Sequence, residues 1–457
     1  MPPPRTSAPL RRSAPEHVPD VVVRRDGAVA VLATWAVVII VAWLWGRWLQ
    51  AGGTRLFLNA PPLTAHTDPR FPPLTLVPIL VGAVAVGVAP VWAVRLRWRT
   101  LVAVAFAGSA LFAVALALVD GTDGFTGPVQ LSSEYLVDAQ GIGSVTGFLD
   151  TFVERIGGFA THVRSHPPGM VLLVHALGAV GLTGPWPVAT LELLGFAAAA
   201  PAVLLAVRET AGEHAARRAA PFVALAPAAV FATTGDGFFA GLGAWAVACL
   251  VLAMRPATDP HDRRRATTLA VAGGVLFGAT LFCSYGLVLL GTIPLAVARS
   301  RRRVRPILIA AAGIVAVAVV FLLAGFWWVE GLFASSIQYR ESIARLRPYT
   351  YALFASLAAF AIALGPALAV GLARLRQRGV WVLTGAALVA VGFAALSGMS
   401  KLETERIWLP FAVWVLAAGS ALWPAGELRV GIPSVRRWLA LQVGAAIVLQ
   451  VTVAPLW

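Results

Sequence analysis

Apolar stretches and short polar interruptions alternate along almost the whole chain. Apolar runs fall at 28–46, 75–94, 101–119, 187–207, 219–235, 237–254, 267–283, 284–298, 306–326, 350–372, 380–397, 408–424 and 438–456. Most come near the ~20 residues that carry a helix across ~30 Å of hydrocarbon. In lipid every backbone polar group must be satisfied internally, so these runs are predicted to be helices. A further run, "GMVLLVHALGAVGL" at 169–182, is shorter than a normal span. Were it to cross, every later arginine cluster would change sides, so a short or re-entrant element at the outer face is predicted. The stretch 267–298 also reads as one long broken helix, which leaves about 12–14 spans. The expected fold class is an all-α polytopic transmembrane bundle, occupying residues 27–457 as one domain.

Composition agrees: 59% of the 457 residues are hydrophobic, 12% are charged and the mean hydropathy is +0.80. A soluble domain carries roughly 25% charged residues. Tryptophans such as Trp43, Trp92, Trp328, Trp408 and Trp438 stand at run ends, where interfacial aromatic belts form. The net charge of +15 points to topology and not to nucleic acid. Twenty-six of the 36 basic residues lie before the first run or in the short segments around Arg97, Arg217, Arg264, Arg302, Arg376 and Arg436. Placing these segments in the cytoplasm satisfies the positive-inside rule. The Pro- and Arg-rich residues 1–26 then read as a disordered cytoplasmic arm. The first run is too long for a signal-peptide core and no A-x-A site follows it, so it reads as a retained helix of a plasma-membrane protein.

The outer face is left with loops 47–74, 120–168, 327–349 and 397–407. The loop at 327–349 is mildly amphipathic, suited to lying along the interface. Cys249 and Cys283 lie in apolar runs and indicate neither a disulfide framework nor a metal site. Nucleotide-binding, zincin and hydrolase-elbow motifs are absent, so the remaining chemistry is that of carboxylates and cations beside a membrane.

Four constellations carry it. In "LSSEYLVDAQ" Glu134 and Asp138 are four apart, so a helical turn puts both carboxylates on one face. Such a pair suits a metal or a general base with an orienting partner, and equally a solvated amphipathic turn. In "HVRSHPPGM" His162, Arg164 and His166 precede a proline-started helix, an arrangement for an anionic ligand or simply a helix start. Asp236, between Gly235 and Gly237, is either a hairpin residue or an outward-facing functional acid. Gly237-x-x-x-Gly241 reads as helix packing. "SKLETERIW" at 400–408 holds the only lysine of the chain, Lys401, with Glu403, Glu405 and Arg406. If helical, Lys401–Glu405 and Glu403–Arg406 would neutralise one another. Alternatively, Arg406 and Lys401 meet a phosphate. Glu192 is a carboxylate inside a span, without an evident purpose.

The order "SSEYLVDA", "HPPGM", "TTGDGFFAG" resembles the GT-C superfamily of polytopic glycosyltransferases, in particular its protein mannosyltransferase and aminoarabinose transferase branch. "SGMSKLETERIWLPF" at 397–411 is similar to a C-terminal signature of actinobacterial envelope members, some of them methylthioxylosyltransferases. The matching loop follows the third span instead of the first, implying two extra N-terminal spans. The resemblance implies an inverting transfer from a polyprenyl-phosphate-linked sugar to a cell-envelope glycan or lipid at the extracytoplasmic face, with a divalent metal optional. It gives Glu134 or Asp138 the catalytic-acid position and His166 the cation position before Pro-Pro, where lysine often stands. Arg406, Lys401 and His166 would hold the donor phosphate, with Asp236, Tyr135 and His162 in support. A lipid-linked glycan transporter, or a noncatalytic scaffold, is the alternative; transporters favour midplane sites, whereas most charge here lies at outer ends.

Overall fold

A computed structural model describes residues 25–455 apart from Ala257 and Glu427. The arm expected over 1–26 thus lies, up to residue 24, outside the described residues. Nine helices among the described residues are long and apolar enough to cross a membrane. The pair Tyr349–Leu364 and Pro366–Arg374, bent by 94°, makes a tenth.

Three further expected runs are built as shorter pieces. Glu213–Ala224 is followed by the 3-10 turn Pro227–Phe231, Tyr285–Gly291 by Thr292–Arg301, and Leu409–Val415 by Leu416–Leu422. The break in the first has a local cause: Pro227 pushes Ala226 into extended backbone (φ −120°, ψ 153°). A 3-10 residue rises ~2.0 Å against ~1.5 Å in an α-helix, so these composite segments reach roughly 25–29 Å. The wider rise lets a short run reach nearly the hydrocarbon thickness. Among the described residues, the nine helices, the bent pair and these three composite segments correspond to the thirteen expected apolar runs.

Contacts between distant segments define the two ends. At one, Arg217 donates to the carbonyls of Ala93 and Leu96 (2.9 Å each), and Arg208 lies 4.6 Å over the Trp98 ring. Glu209 there pairs with Arg255 and Arg301 at 2.6 and 2.8 Å, and Trp423 donates to the Arg218 carbonyl. At the other end, Arg70 pairs with Asp120, which also accepts from Gln450, and Ala65–Thr67 pairs antiparallel with Val453–Pro455. Helix Trp98–Ala117 leaves the arginine-rich end, and Pro185–Ala211 returns to it. The intervening segment, including Gly169–Ala179, therefore begins and ends at the opposite side. An eleven-residue helix spans only ~17 Å, which agrees with the expected non-crossing element.

The centre of the bundle is Pro185–Ala211 against Gly235–Ala253, the candidate spans with the largest buried share. They cross with almost no gap: a Cβ on Gly241 would strike the Gly195 carbonyl. The Gly237-x-x-x-Gly241 spacing thus serves packing. The crossing also brings the N-terminal turn of Gly235–Ala253 onto the backbone of Glu192, whose carbonyl lies 3.2 Å from a Cβ built on Gly237. Outside, the loop at 327–349 forms helix Trp328–Glu341, with Phe333 and Ile337 exposed on one face.

The end-to-end pattern is testable by cysteine labelling with a membrane-impermeant maleimide. Ser144→Cys and Thr183→Cys should label from one side of the membrane and Arg302→Cys from the other. Labelling of Ser144→Cys from the same side as Arg302→Cys, with Thr183→Cys on the other, would show that Gly169–Ala179 crosses.

Candidate active site

Four chain segments deliver charged side chains to one buried point. Asp236 sits in the first turn of Gly235–Ala253, where a helix N-terminus favours an anion. Glu134 precedes the short helix Leu136–Gln140, and His162 lies in Thr161–Ser165. A backbone bond from the His162 N–H to the Ser133 carbonyl (2.9 Å) holds these two segments together. Arg406 belongs to the single turn Thr404–Ile407. That turn is entered through two left-handed, non-glycine residues, Leu402 (φ 74°) and Glu403 (φ 62°). Such backbone is costly unless the surroundings over-determine it. Here Leu402 is buried against Leu56, Leu58 and Tyr351, its N–H donates to Ser356 Oγ, and the Thr404 hydroxyl donates to the Ser356 carbonyl.

Arg406 is the hub. Its Nη1 donates to Asp236 Oδ2 at 2.7 Å, and its Nη2 donates to Glu403 Oε2 at 2.9 Å and to His162 Nε2 at 2.8 Å. A guanidinium only donates, so His162 Nε2 accepts and the ring proton resides on Nδ1. That nitrogen lies 2.7 Å from Glu134 Oε1. The other Glu134 oxygen makes no hydrogen bond to a described residue. Glu403 also faces Arg347 Nη1 at 3.5 Å, and Arg347 is itself held by the carbonyls of Leu56 and Lys401.

These contacts set the protonation states. Burial alone would raise Glu134, but the hydrogen bond from His162 and the nearby positive charge of Arg406 bring it below the ordinary carboxylate range. Glu403 behaves likewise through Arg406 and Arg347. Burial pushes His166 down to about 4. It is an uncharged ring at neutral pH, with Nδ1 2.8 Å from the His162 carbonyl and 3.3 Å from the Tyr135 hydroxyl. The positive charge expected at the position before Pro-Pro is therefore absent, and Arg406 with Arg347 carries it. Glu405, fully buried, differs again: one oxygen accepts from the Thr64 N–H at 2.8 Å, Oε2 has no partner among the described residues, and burial raises it to about 7.

Two structures of ArnT from Cupriavidus metallidurans are similar to this chain. One is bound to undecaprenyl phosphate (17% identity, 75% of this chain and 76% of that one, TM-score 0.41), and the other is in the apo state (15% identity, 76% and 78%, TM-score 0.40). No protein-family model and no curated protein sequence matches the chain.

Of the residues singled out in the sequence, Glu134, His162, Asp236 and Arg406 converge, and Tyr135 and His166 lie against them. Asp138 does not join: its Oδ2 accepts from the Ala160 N–H at 2.8 Å, tying the acidic loop to the start of Thr161–Ser165. Lys401 turns to the carbonyls of Ala344 and Arg347, 3.4 and 3.5 Å away. The i,i+4 pairing of Lys401 with Glu405 does not form, because the left-handed residues between them start the helix only at Thr404. The i,i+3 pair Glu403–Arg406 does form. Arg347 was missed. Its signal was there, as an arginine on the side that the charge bias otherwise depletes. Among the described residues, the donor atoms of Asp259, His261 and Asp262 cluster closely enough for a metal ion. They follow Arg255 at the arginine-rich end, away from this network, and Asp259 there caps the helix from Pro260.

A pH test isolates Glu405. Its folded pKa lies above that of an exposed carboxyl, so its stabilising contribution is complete below the unfolded pKa. It is lost as pH rises through about 7. Glu405→Gln keeps an acceptor for Thr64 without titrating. Between pH 5 and 8 the wild-type protein should lose stability relative to Glu405→Gln, with a slope approaching ~1.4 kcal/mol per pH unit between the unfolded and folded pKa values and flattening above about 7. Thermal unfolding in detergent reads this; parallel pH profiles would refute the assignment.

Proposed function

We propose that the protein is an integral-membrane glycosyltransferase. It moves a sugar, with inversion, from a polyprenyl-phosphate donor to a hydroxyl of a cell-envelope glycan or lipid. With the arginine-rich end in the cytoplasm, as charge bias favours, the reaction occurs at the extracytoplasmic face. The observation that carries this reading is the buried chain Glu134–His162–Arg406–Asp236. One Glu134 oxygen is oriented by His162 and the other is unengaged, which suits a general base. The acceptor hydroxyl would give its proton to that free oxygen as its own oxygen attacks the anomeric carbon, and the sugar–phosphate bond breaks on the far face.

The departing phosphate needs positive charge where negative charge develops. Arg406 and Arg347 flank Glu403, which is the most exposed member of the group, with 25% of its side chain accessible. Glu403 thus occupies an anion position between two guanidinia. The donor phosphate would take that place, displacing Glu403 outward, and Lys401 would assist from the rim. Asp236 holds Arg406 in place throughout, and neutral Tyr135 and His166 line the floor. Asp138 serves the loop and not the chemistry.

Glu134→Gln should lower sugar transfer in membranes by roughly 10²–10⁴-fold while the donor still binds. Asp138→Asn should leave the rate per folded molecule within a few-fold. Transfer unchanged in Glu134→Gln would remove the base assignment, and lipid-linked sugar crossing the membrane without transfer would favour a transporter.

A further inference from the structure

At the arginine-rich end, away from the acidic network, a groove of about 670 Å³ opens between helices Thr292–Arg301 and Arg378–Ser397. Its rim carries Arg299, Arg302 and Arg378, and no carboxylate lines it. None of the three guanidinia has a hydrogen bond or ion pair with any described residue. Their neighbours differ: Arg301 pairs with Glu209, Arg303 donates to the Arg255 carbonyl, and Arg376 donates to Ala373 and Leu375. Arg302 is moreover held in left-handed backbone (φ 53°) where Thr292–Arg301 ends.

Beneath the rim the character changes. Val382, Ala386 and Val389 follow one another along Arg378–Ser397 at four- and three-residue steps, forming an apolar strip that runs from the arginines toward mid-membrane. The strip is not closed by slippage of the helices, because the Thr292 hydroxyl bridges the Leu289 and Ala386 carbonyls at 2.8 and 3.0 Å. Trp381 stands at the mouth, its ring fixed by donation to the Leu375 carbonyl at 2.8 Å.

We propose that this groove binds an anionic phospholipid, with the headgroup phosphate among Arg299, Arg302 and Arg378 and an acyl chain along Val382, Ala386 and Val389. The joined chemistry selects the occupant. A free phosphate or a nucleotide satisfies the rim only, and a neutral lipid the strip only. Basic pockets between membrane helices hold anionic headgroups for the same reason. The site stands in the leaflet opposite the proposed transfer site and does not depend on that reading.

The test is native mass spectrometry of the purified full-length protein, titrated with phosphatidylglycerol, phosphatidylcholine or inorganic phosphate. Phosphatidylglycerol should be retained at about one copy, phosphatidylcholine much less, and phosphate should not compete at equal concentration. The triple variant Arg299→Gln/Arg302→Gln/Arg378→Gln should lose affinity for phosphatidylglycerol on the order of 100-fold. A charge-matched variant, Arg263→Gln/Arg264→Gln/Arg265→Gln, should retain it. Ser300→Glu keeps all three arginines and sets a carboxylate among them, and it too should weaken retention; it covers the case in which the triple variant misfolds. Retention by Ser300→Glu equal to wild type, equal loss in the charge-matched variant, or full competition by inorganic phosphate would each overturn the proposal.

Discussion

A guanidinium buried beside hydrocarbon has to be neutralised by groups brought to it, and Arg406 imposes that requirement on the rest of this bundle. An ion transferred from water into a protein interior loses several kcal/mol of solvation even after relaxation. Asp236, Glu403 and His162 offset that loss, each arriving from a different direction along the chain. Removing any one leaves a buried charge short of a partner, which typically costs about 3–5 kcal/mol for an ion pair. Helix Gly235–Ala253, the acidic loop and the turn Thr404–Ile407 are thereby held to one another. The same set of contacts that satisfies the cation also aims one Glu134 oxygen and leaves the other unengaged.

The architecture supports this convergence in two ways. The near-contact of Gly195 and Gly241 fixes the start of Gly235–Ala253, and so Asp236, against the most buried part of the bundle. The 3-10 stretches let segments too short for an ordinary span still reach across, so that Arg406 enters directly from Leu409–Leu422 with no intervening loop. Strained backbone at Leu402 and Glu403 is tolerated because Leu56, Tyr351 and Ser356 clamp it from both sides. It turns Glu403 toward Arg347 and Arg406, which regular helical backbone would not do for both.

Much of this was legible beforehand, and the divisions are physical. Hydropathy reports burial in lipid directly, so the expected apolar runs are mostly helical, apart from a sharp bend within 350–372 and a closing strand at Val453–Pro455, and the charge bias separates the two ends. Hydropathy is silent on backbone type, and the runs at 219–235, 284–298 and 408–424 are therefore composite where continuous helices were expected. The acids and histidines of the site stood out because ionisable residues are rare in this chain. Spacing could not separate Glu134 from Asp138, since that depends on which one meets the Ala160 N–H. Nor could it show that His166 is too buried to be charged, or that Lys401 faces carbonyls. Arg347 lies nearly sixty residues from Glu403, and only the fold brings it there.

The most direct test of the convergence on Arg406 is a double-mutant cycle on unfolding free energy, combining Asp236→Asn with Arg406→Gln in detergent-solubilised protein. Direct contact in a buried site should give a coupling of roughly 0.5–3 kcal/mol. Effects that add to within ~0.5 kcal/mol would mean that the two side chains do not meet.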